Sequence, residues 1–513
     1  MKTPTLNRRN FLATTAATAL VPTARAHAQS GSVANIATVG EPGQLEPMLF
    51  TADLLTEIQQ HFYETLYAFD SKFRVRPLLA ADLPAISEDA KTYTIKLRNG
   101  VPFHDSTVMT SEDVVTCLKR YFTISPRGKP AGAYVVDVTN PDANTVVITL
   151  KDPYSPLLPL LAYFSAPAIV MPKRLAQSND PVKEFVGTGP YKLLEHAPDR
   201  YVRVGKFDKY VSPQGSPDGF AGERRVLIDE LRFLPVPNPT TRADGLLSGE
   251  YQFADVLTPD SYGRLNGKPG ISRGVVNPAT WLILVLNAKQ GIMTDARLRQ
   301  AVQASVACDE VLAACFGDKQ FWTLAGSIYP EGTDYYDANT PGYNKRDPDK
   351  AKALMKAANY DGTPVRFLTT TQYDYMFKTI SVVAQSLQDV GFKTDVQVMD
   401  WPTMLAKRAV PGNWEGFCTS GAIAPDPSLF SMLNTAYPGW WDTPRKRAAL
   451  ERFIAALNLQ TRVAAWKELQ ALFYEEVPTI LFGYFYSLYG ISNRMSGYNS
   501  FGWPFFWNVK LNA

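Results

Sequence analysis

Apolar and polar positions alternate along Tyr93-Thr94-Ile95-Lys96-Leu97, the pattern of a strand with one covered face. Asn99-Gly100 follows as a turn. Thr110-Ser111-Glu112-Asp113 then opens a helix: Thr110 caps it, the acids suit the positive end of its dipole, and Val114, Val115 and Leu118 form its apolar face. Thr145 to Leu150 and Leu227 to Val236 also read as strands. Pro239 to Ser248 reads as a short helix closed by Gly249. Trp281 to Leu286 is continuously apolar, as in a strand covered on both faces. Asp295 through Cys315 is predicted as one long helical stretch, and Asp347-Pro348 starts another helix. Asp374 to Val390 is a helix ended by Gly391, followed by a strand over Thr394 to Met399. Arg447 to Glu476 is helical with a break near Asn458, and the segment from Thr479 is strand-like. Helices interleaved with strands in two large regions define an α/β architecture with more than one sheet.

The first 28 residues stand apart. Arg8 and Arg9 precede an apolar stretch from Phe11 to Val21, and Ala26-His27-Ala28 forms a small-x-small cleavage pattern. This is the layout of a secretory leader. Asn7-Arg8-Arg9-Asn10-Phe11-Leu12 resembles a twin-arginine export signal, with Asn7 in place of the usual Ser or Thr. No Cys sits at the cleavage point to take a lipid. The stretch Leu157 to Met171, interrupted by Pro159 and Pro167, falls short of a membrane span. A soluble periplasmic protein without a lipid anchor is expected. The formal charge of +3 includes Lys2, Arg8, Arg9 and Arg25 of the leader, so the remainder carries −1 and asks for no nucleic acid. Of 513 residues, 485 follow the leader, enough for at least two domains.

Candidate chemistry is sparse. His61, His104 and His196 are isolated, and neither a CxxC pair nor zinc-ligand spacing occurs, so no metal or cofactor is expected. No G-x-S-x-G elbow is present, and an enzyme is not expected. Gly187 and Gly189 lack the Lys-Ser/Thr of a phosphate loop. Cys308 and Cys315 lie about 10 Å apart along a helix, too far to bridge. Cys117, Cys308, Cys315 and Cys418 are read as buried apolar residues, with a long-range pair of Cys117 or Cys315 with Cys418 as the alternative.

A series of short motifs then occurs in a fixed order: Tyr63-Glu64-Thr65-Leu66, Leu97-Arg98-Asn99-Gly100-Val101-Pro102-Phe103-His104-Asp105, Thr110 to Val114, Gly187-Thr188-Gly189-Pro190-Tyr191, Leu246 to Glu250, Arg297 to Ala301 and Asp347 to Leu354. In this order they resemble the family 5 extracellular solute-binding proteins of ABC importers, the peptide and nickel binders. Ser106 departs from the family's usual glycine. The resemblance implies a two-lobed periplasmic-binding-protein fold, type II-like, with an extra inserted domain and a hinge between lobes. It implies a first lobe from 29–68, 186–277 and 479–513, an inserted subdomain over 69–185 and a second lobe over 278–478. The chain would cross between lobes near Asn277 and again near Pro478. It further implies a monomer that grips a small-molecule or peptide solute in the cleft and delivers it to ABC permease subunits. An opine, sugar or metal chelate as cargo, or presentation of a ligand to a sensory receptor, are the alternatives.

Peptide-binding members hold the ligand's ammonium with an aspartate a few residues ahead of an Asp-Pro. Here Asp426-Pro427 matches, but the upstream position falls on Ile423 or a neighbour, none of them acidic. Candidate cleft residues are Phe50 and Thr51 by family position, Trp281 at the lobe crossing, Tyr373 and Tyr375 ahead of a helix, Trp401, Asp426, Trp440 and Trp441. Their aromatic faces suit peptide, apolar or sugar surfaces.

Overall fold

The computed structural model describes residues 32–276, 280–422 and 424–512. The predicted leader, Asn277 and Ile423 therefore lie outside the described residues. Two large mixed sheets organise the chain. The first has seven strands in the order Ile271–Val275, Leu488–Ser492, Phe253–Leu257, Val33–Thr38, Glu230–Pro235, Tyr201–Lys206, Tyr191–Ala197. The second has six, in the order Trp322–Thr323, Thr479–Phe485, Thr280–Leu286, Gly416–Ala422, Val365–Thr369, Thr394–Val398. A smaller sheet joins Ala85–Ile86, Thr92–Lys96, Thr145–Leu150 and Val135–Asp142, with the helix Ser111–Ile124 beside it. One hydrophobic core runs from Ile36, Phe233 and Phe253 of the seven-stranded sheet to Ile95, Val146 and Ile148 of the small one; these two sheets carry the expected first lobe and the six-stranded sheet the second.

Local chemistry explains most element ends. Thr110 donates from both N–H and Oγ1 to Asp113 Oδ2 at 2.8 Å, closing the start of Ser111–Ile124. Pro239–Ser248 starts on the Asn238 side chain and ends at Gly249, whose φ of 82° suits a residue without a Cβ. Asn458 caps Leu459–Glu476 at the expected break. The stretch from Asp295 is two helices, Ala296–Ser305 and Cys308–Phe316, not one. Asn344 Oδ1 accepts from the N–H of Cys308 at 2.7 Å and so starts the second helix from a residue far along the chain.

The return crossing also differs from expectation. Thr479–Phe485 pairs with Thr280–Leu286 in the six-stranded sheet, and Leu488–Ser492 pairs in the seven-stranded one. The chain therefore passes back at Tyr486-Ser487, not near Pro478. The N–H of Val276 donates to Ser487 O at 2.8 Å, which sets the two crossings side by side. A wholly buried strand carries no periodic mark of which sheet it joins.

All four cysteines are free and buried. Burial pushes the thiols of Cys117 and Cys308 up to about 12 and that of Cys315 up to about 11. Among the described residues, no helix is long and apolar enough to cross a membrane.

Candidate functional site

The ordered motifs build scaffold. Gly187 and Gly189 press so closely on the backbone at His61 and Phe62 that a Cβ on either would collide with a main-chain atom. His104 locks them there: its Nδ1 accepts from the N–H of Gly187 at 3.1 Å, so Nε2 carries the hydrogen and donates to Gly189 O at 3.0 Å. Burial holds this imidazole neutral, its pKa lowered to about 4. Glu64, fully buried, accepts from Thr188 Oγ1 at 2.9 Å, Tyr210 OH at 2.8 Å and Arg224 Nη1 at 3.2 Å. Glu46 takes both terminal nitrogens of Arg120, at 3.1 and 3.2 Å. Each of these carboxylates has a cation of its own.

The wall of the first lobe that faces the second is different. The helix Asp53–Gln59 carries Asp53 and Glu57 one turn apart, and Asp255 of the strand Phe253–Leu257 lies beside them. Asp255 sits where the pairing register slips between Ala254 and Leu257, next to Val256 at φ 44°. A β-branched residue in that region is strained, and such strain gathers at functional sites. Arg242 is the guanidinium nearest Glu57 and Asp255, but its donors go to the main-chain oxygens of Asp255, Val236, Pro237 and Val256 at 2.6–3.0 Å. No ion pair among the described residues takes Asp53, Glu57 or Asp255. Glu57 is 3% exposed, and its Oε1 has no hydrogen-bond partner among the described residues. Burial and the negative neighbours Asp255 and Asp53 raise its pKa well above the ordinary range. Burial likewise raises Asp255, to about 6. Asp53 is exposed to water, yet desolvation by surrounding protein also raises it.

The second lobe closes over this wall. Tyr373 comes close enough for its phenol to sense Asp53, Asp255, Arg242 and Glu57. Tyr375 also senses Asp53, and shares a hydrogen bond of 2.8 Å with Ser420. Trp503 Nε1 donates to Asp53 Oδ1 at 2.9 Å. Trp503 also lines a narrow aromatic crevice of about 30 Å³ with Phe69, Tyr163, Phe220 and Phe501, bordered by Pro425 of the second lobe. At the lip, Arg127 Nη1 donates to Leu429 O at 2.8 Å, and Asn434 Nδ2 donates to Pro126 O at 3.2 Å. Ser155 N and Oγ donate to Ile454 O at 3.2 and 2.9 Å.

Of the residues singled out in the sequence, Tyr373 and Tyr375 stand on the cleft, and Trp401 packs edge-on to Tyr373 with centroids 5.1 Å apart. Phe50, 39% exposed, and Thr51 precede the acid-bearing helix. Trp281 is 3% exposed in the core of the second lobe, where Nε1 donates to Ile328 O at 2.7 Å and the ring meets Phe430. Asp426 is held by Arg462 at 2.6 Å and caps the turn at Ser428, so its charge is already matched. Trp440 stacks on Trp414, and Trp441 Nε1 donates to Glu476. Both lie past the Leu286 end of the central strand, away from the crossing at Thr280. Asp53, Glu57, Asp255, Arg242, Tyr498 and Trp503 were not found from the sequence. One local sign existed: like charges at i and i+4, as at Asp53 and Glu57, destabilise an isolated helix.

Two large sheets, two adjacent crossings and the meeting of both lobes around Trp503 define a two-lobed protein. The family model of bacterial extracellular solute-binding proteins, family 5, matches residues 74–442, and the chain belongs to that family. It is 26% identical over 484 residues to a probable peptide ABC transporter periplasmic-binding protein of Sinorhizobium fredii, with 91% of each chain covered. It is 27% identical over 360 residues to the glutathione-binding protein of Escherichia coli K12, covering 69% of this chain and 67% of that one. The fold matches the periplasmic binding protein DppA of Helicobacter pylori in complex with the peptide STSA (TM-score 0.82, 22% identity, 94% and 99% coverage). It also matches AgaA of A. tumefaciens R10 in complex with agropinic acid (TM-score 0.81, 23% identity, 94% and 99% coverage).

Proposed function

We propose that this protein captures a peptide or peptide-like small solute between its lobes, outside the cytoplasmic membrane, and hands it to the permease of an ABC importer. The observation that carries the reading is the place where the two lobes meet, at which Asp53 and an aromatic crevice come together at Trp503. A solute with a polar backbone and an apolar side chain fits that pairing. The relative's description as a peptide transporter component points the same way. Residues 1–28 act as an export leader of the twin-arginine type, and the released protein works in the periplasm as a monomer. Cargo leaves unaltered, because binding energy is used to favour the closed form that the permease recognises.

A thermal-shift screen of the protein without residues 1–28 against defined peptide and opine sets tests this. A solute at 100 times its Kd adds about 2.7 kcal/mol of stability. Mass spectrometry of the recovered solute checks that it is unchanged. Conversion of the solute, or a hit set confined to opines, would overturn the peptide reading.

A further inference from the structure

The cleft wall of the first lobe holds more negative charge than the protein itself neutralises. Glu57 and Asp255 have one nearby guanidinium, Arg242, which is engaged by main-chain oxygens, and Asp53 has only the more distant Arg127, whose Nη1 donates to Leu429 O. Glu57 is buried with Oε1 unpartnered among the described residues. A carboxylate oxygen buried without a partner is costly unless a further group satisfies it. Asp426 of the second lobe offers no substitute, since it is taken by Arg462 at 2.6 Å. Tyr373 from the second lobe and Tyr498 from the first both come within electrostatic reach of Glu57. Aromatic faces beside carboxylates are the surroundings that a cation prefers.

We infer that the solute carries a cationic group, an amine or a guanidinium, and that the first lobe seats it on Glu57 between Asp53 and Asp255 under Tyr373. This rests on the reading of the cleft as a solute site. The positive group ionises Glu57 and donates a hydrogen bond to its unpartnered oxygen. Desolvation is repaid only by a charge that completes the set, so a neutral analogue leaves the carboxyl unpaired. Asp53, exposed and held by Trp503, adds long-range attraction and a smaller share of affinity.

The test uses the protein without its leader and two probe sets. One contains free-amine di- and tripeptides with agmatine; the other contains the same peptides N-acetylated. Affinity is measured by calorimetry. The free-amine and cationic set binds and the acetylated set does not. Glu57→Gln lowers affinity roughly ten- to hundredfold, with circular dichroism unchanged, and Asp53→Asn lowers it by less. The exposed Asp53 keeps the test open even if the buried variant folds poorly. Equal binding of the acetylated set, or full affinity in both variants, overturns the cation seat and leaves the solute-binding reading standing. If neither set binds, both fail together.

Discussion

Glu46 and Glu64 lie as deep in the first lobe as Glu57 and Asp255, but each of the first two has its own guanidinium and the second two have none. The matched pair of carboxylates belongs to the scaffold and ties the early helix region, the inserted sheet and the glycine motif together. The unmatched pair lines the cleft. Buried charge that a fold satisfies by itself marks architecture, and buried charge that it leaves open marks the place for a visitor.

That contrast can be broken at either end. Arg224→Met strands Glu64 and should cost about 3–5 kcal/mol, read as a fall in urea midpoint. Adding Glu64→Gln should recover most of the loss, since Gln still meets Thr188 and Tyr210. His104→Ala removes the two bonds that lock Gly187 and Gly189, and should cost about 1–3 kcal/mol in the same assay.

Glu57→Gln should do the opposite. The folded-state pKa of Glu57 lies above the ordinary 4.5, so its favourable contribution is complete below that value and is lost as pH rises through the folded pKa. Asp255 behaves alike between 3.8 and about 6. The Gln variant is therefore at least as stable as the parent at pH 7. Its advantage should grow upward from pH 4.5, at up to about 1.4 kcal/mol per pH unit. His61 and His104, lowered by burial to about 3 and about 4, impose the reverse slope on both proteins as pH falls below 6.5. They cancel in the comparison of variant with parent. The smallest effect is expected at the exposed pair Arg445–Glu475, where Glu475→Gln should leave the midpoint unchanged.

Much of the fold was legible in the chain. Capped or glycine-ended helices such as Pro239–Ser248 and Asp374–Val390 announce their ends locally, and the ordered motifs imply the two-lobed plan. What failed depended on distant partners: the break at Val306, held by Asn344, and the sheet chosen by Thr479–Phe485. The site was less legible. Tyr373, at the N-cap of Asp374–Val390, and Tyr375, in its first turn, announce themselves as aromatic residues at a helix start. Asp255 becomes part of the cleft only through a slipped register and a strained Val256, which no sequence period encodes. Trp281 and Trp441 look like ligand platforms in sequence, but their indole nitrogens are used internally.

The free, buried thiols carry one more consequence. Once folded, Cys117, Cys308, Cys315 and Cys418 stay protonated and shielded, and an oxidant has no thiolate to attack. The extended chain offers no such shelter, and four bare sulfurs can scramble into wrong crosslinks within an oxidising space. Timing therefore decides the yield: a molecule that finishes folding under reducing conditions before it travels arrives immune, and one that is threaded across first must outrun its own oxidation.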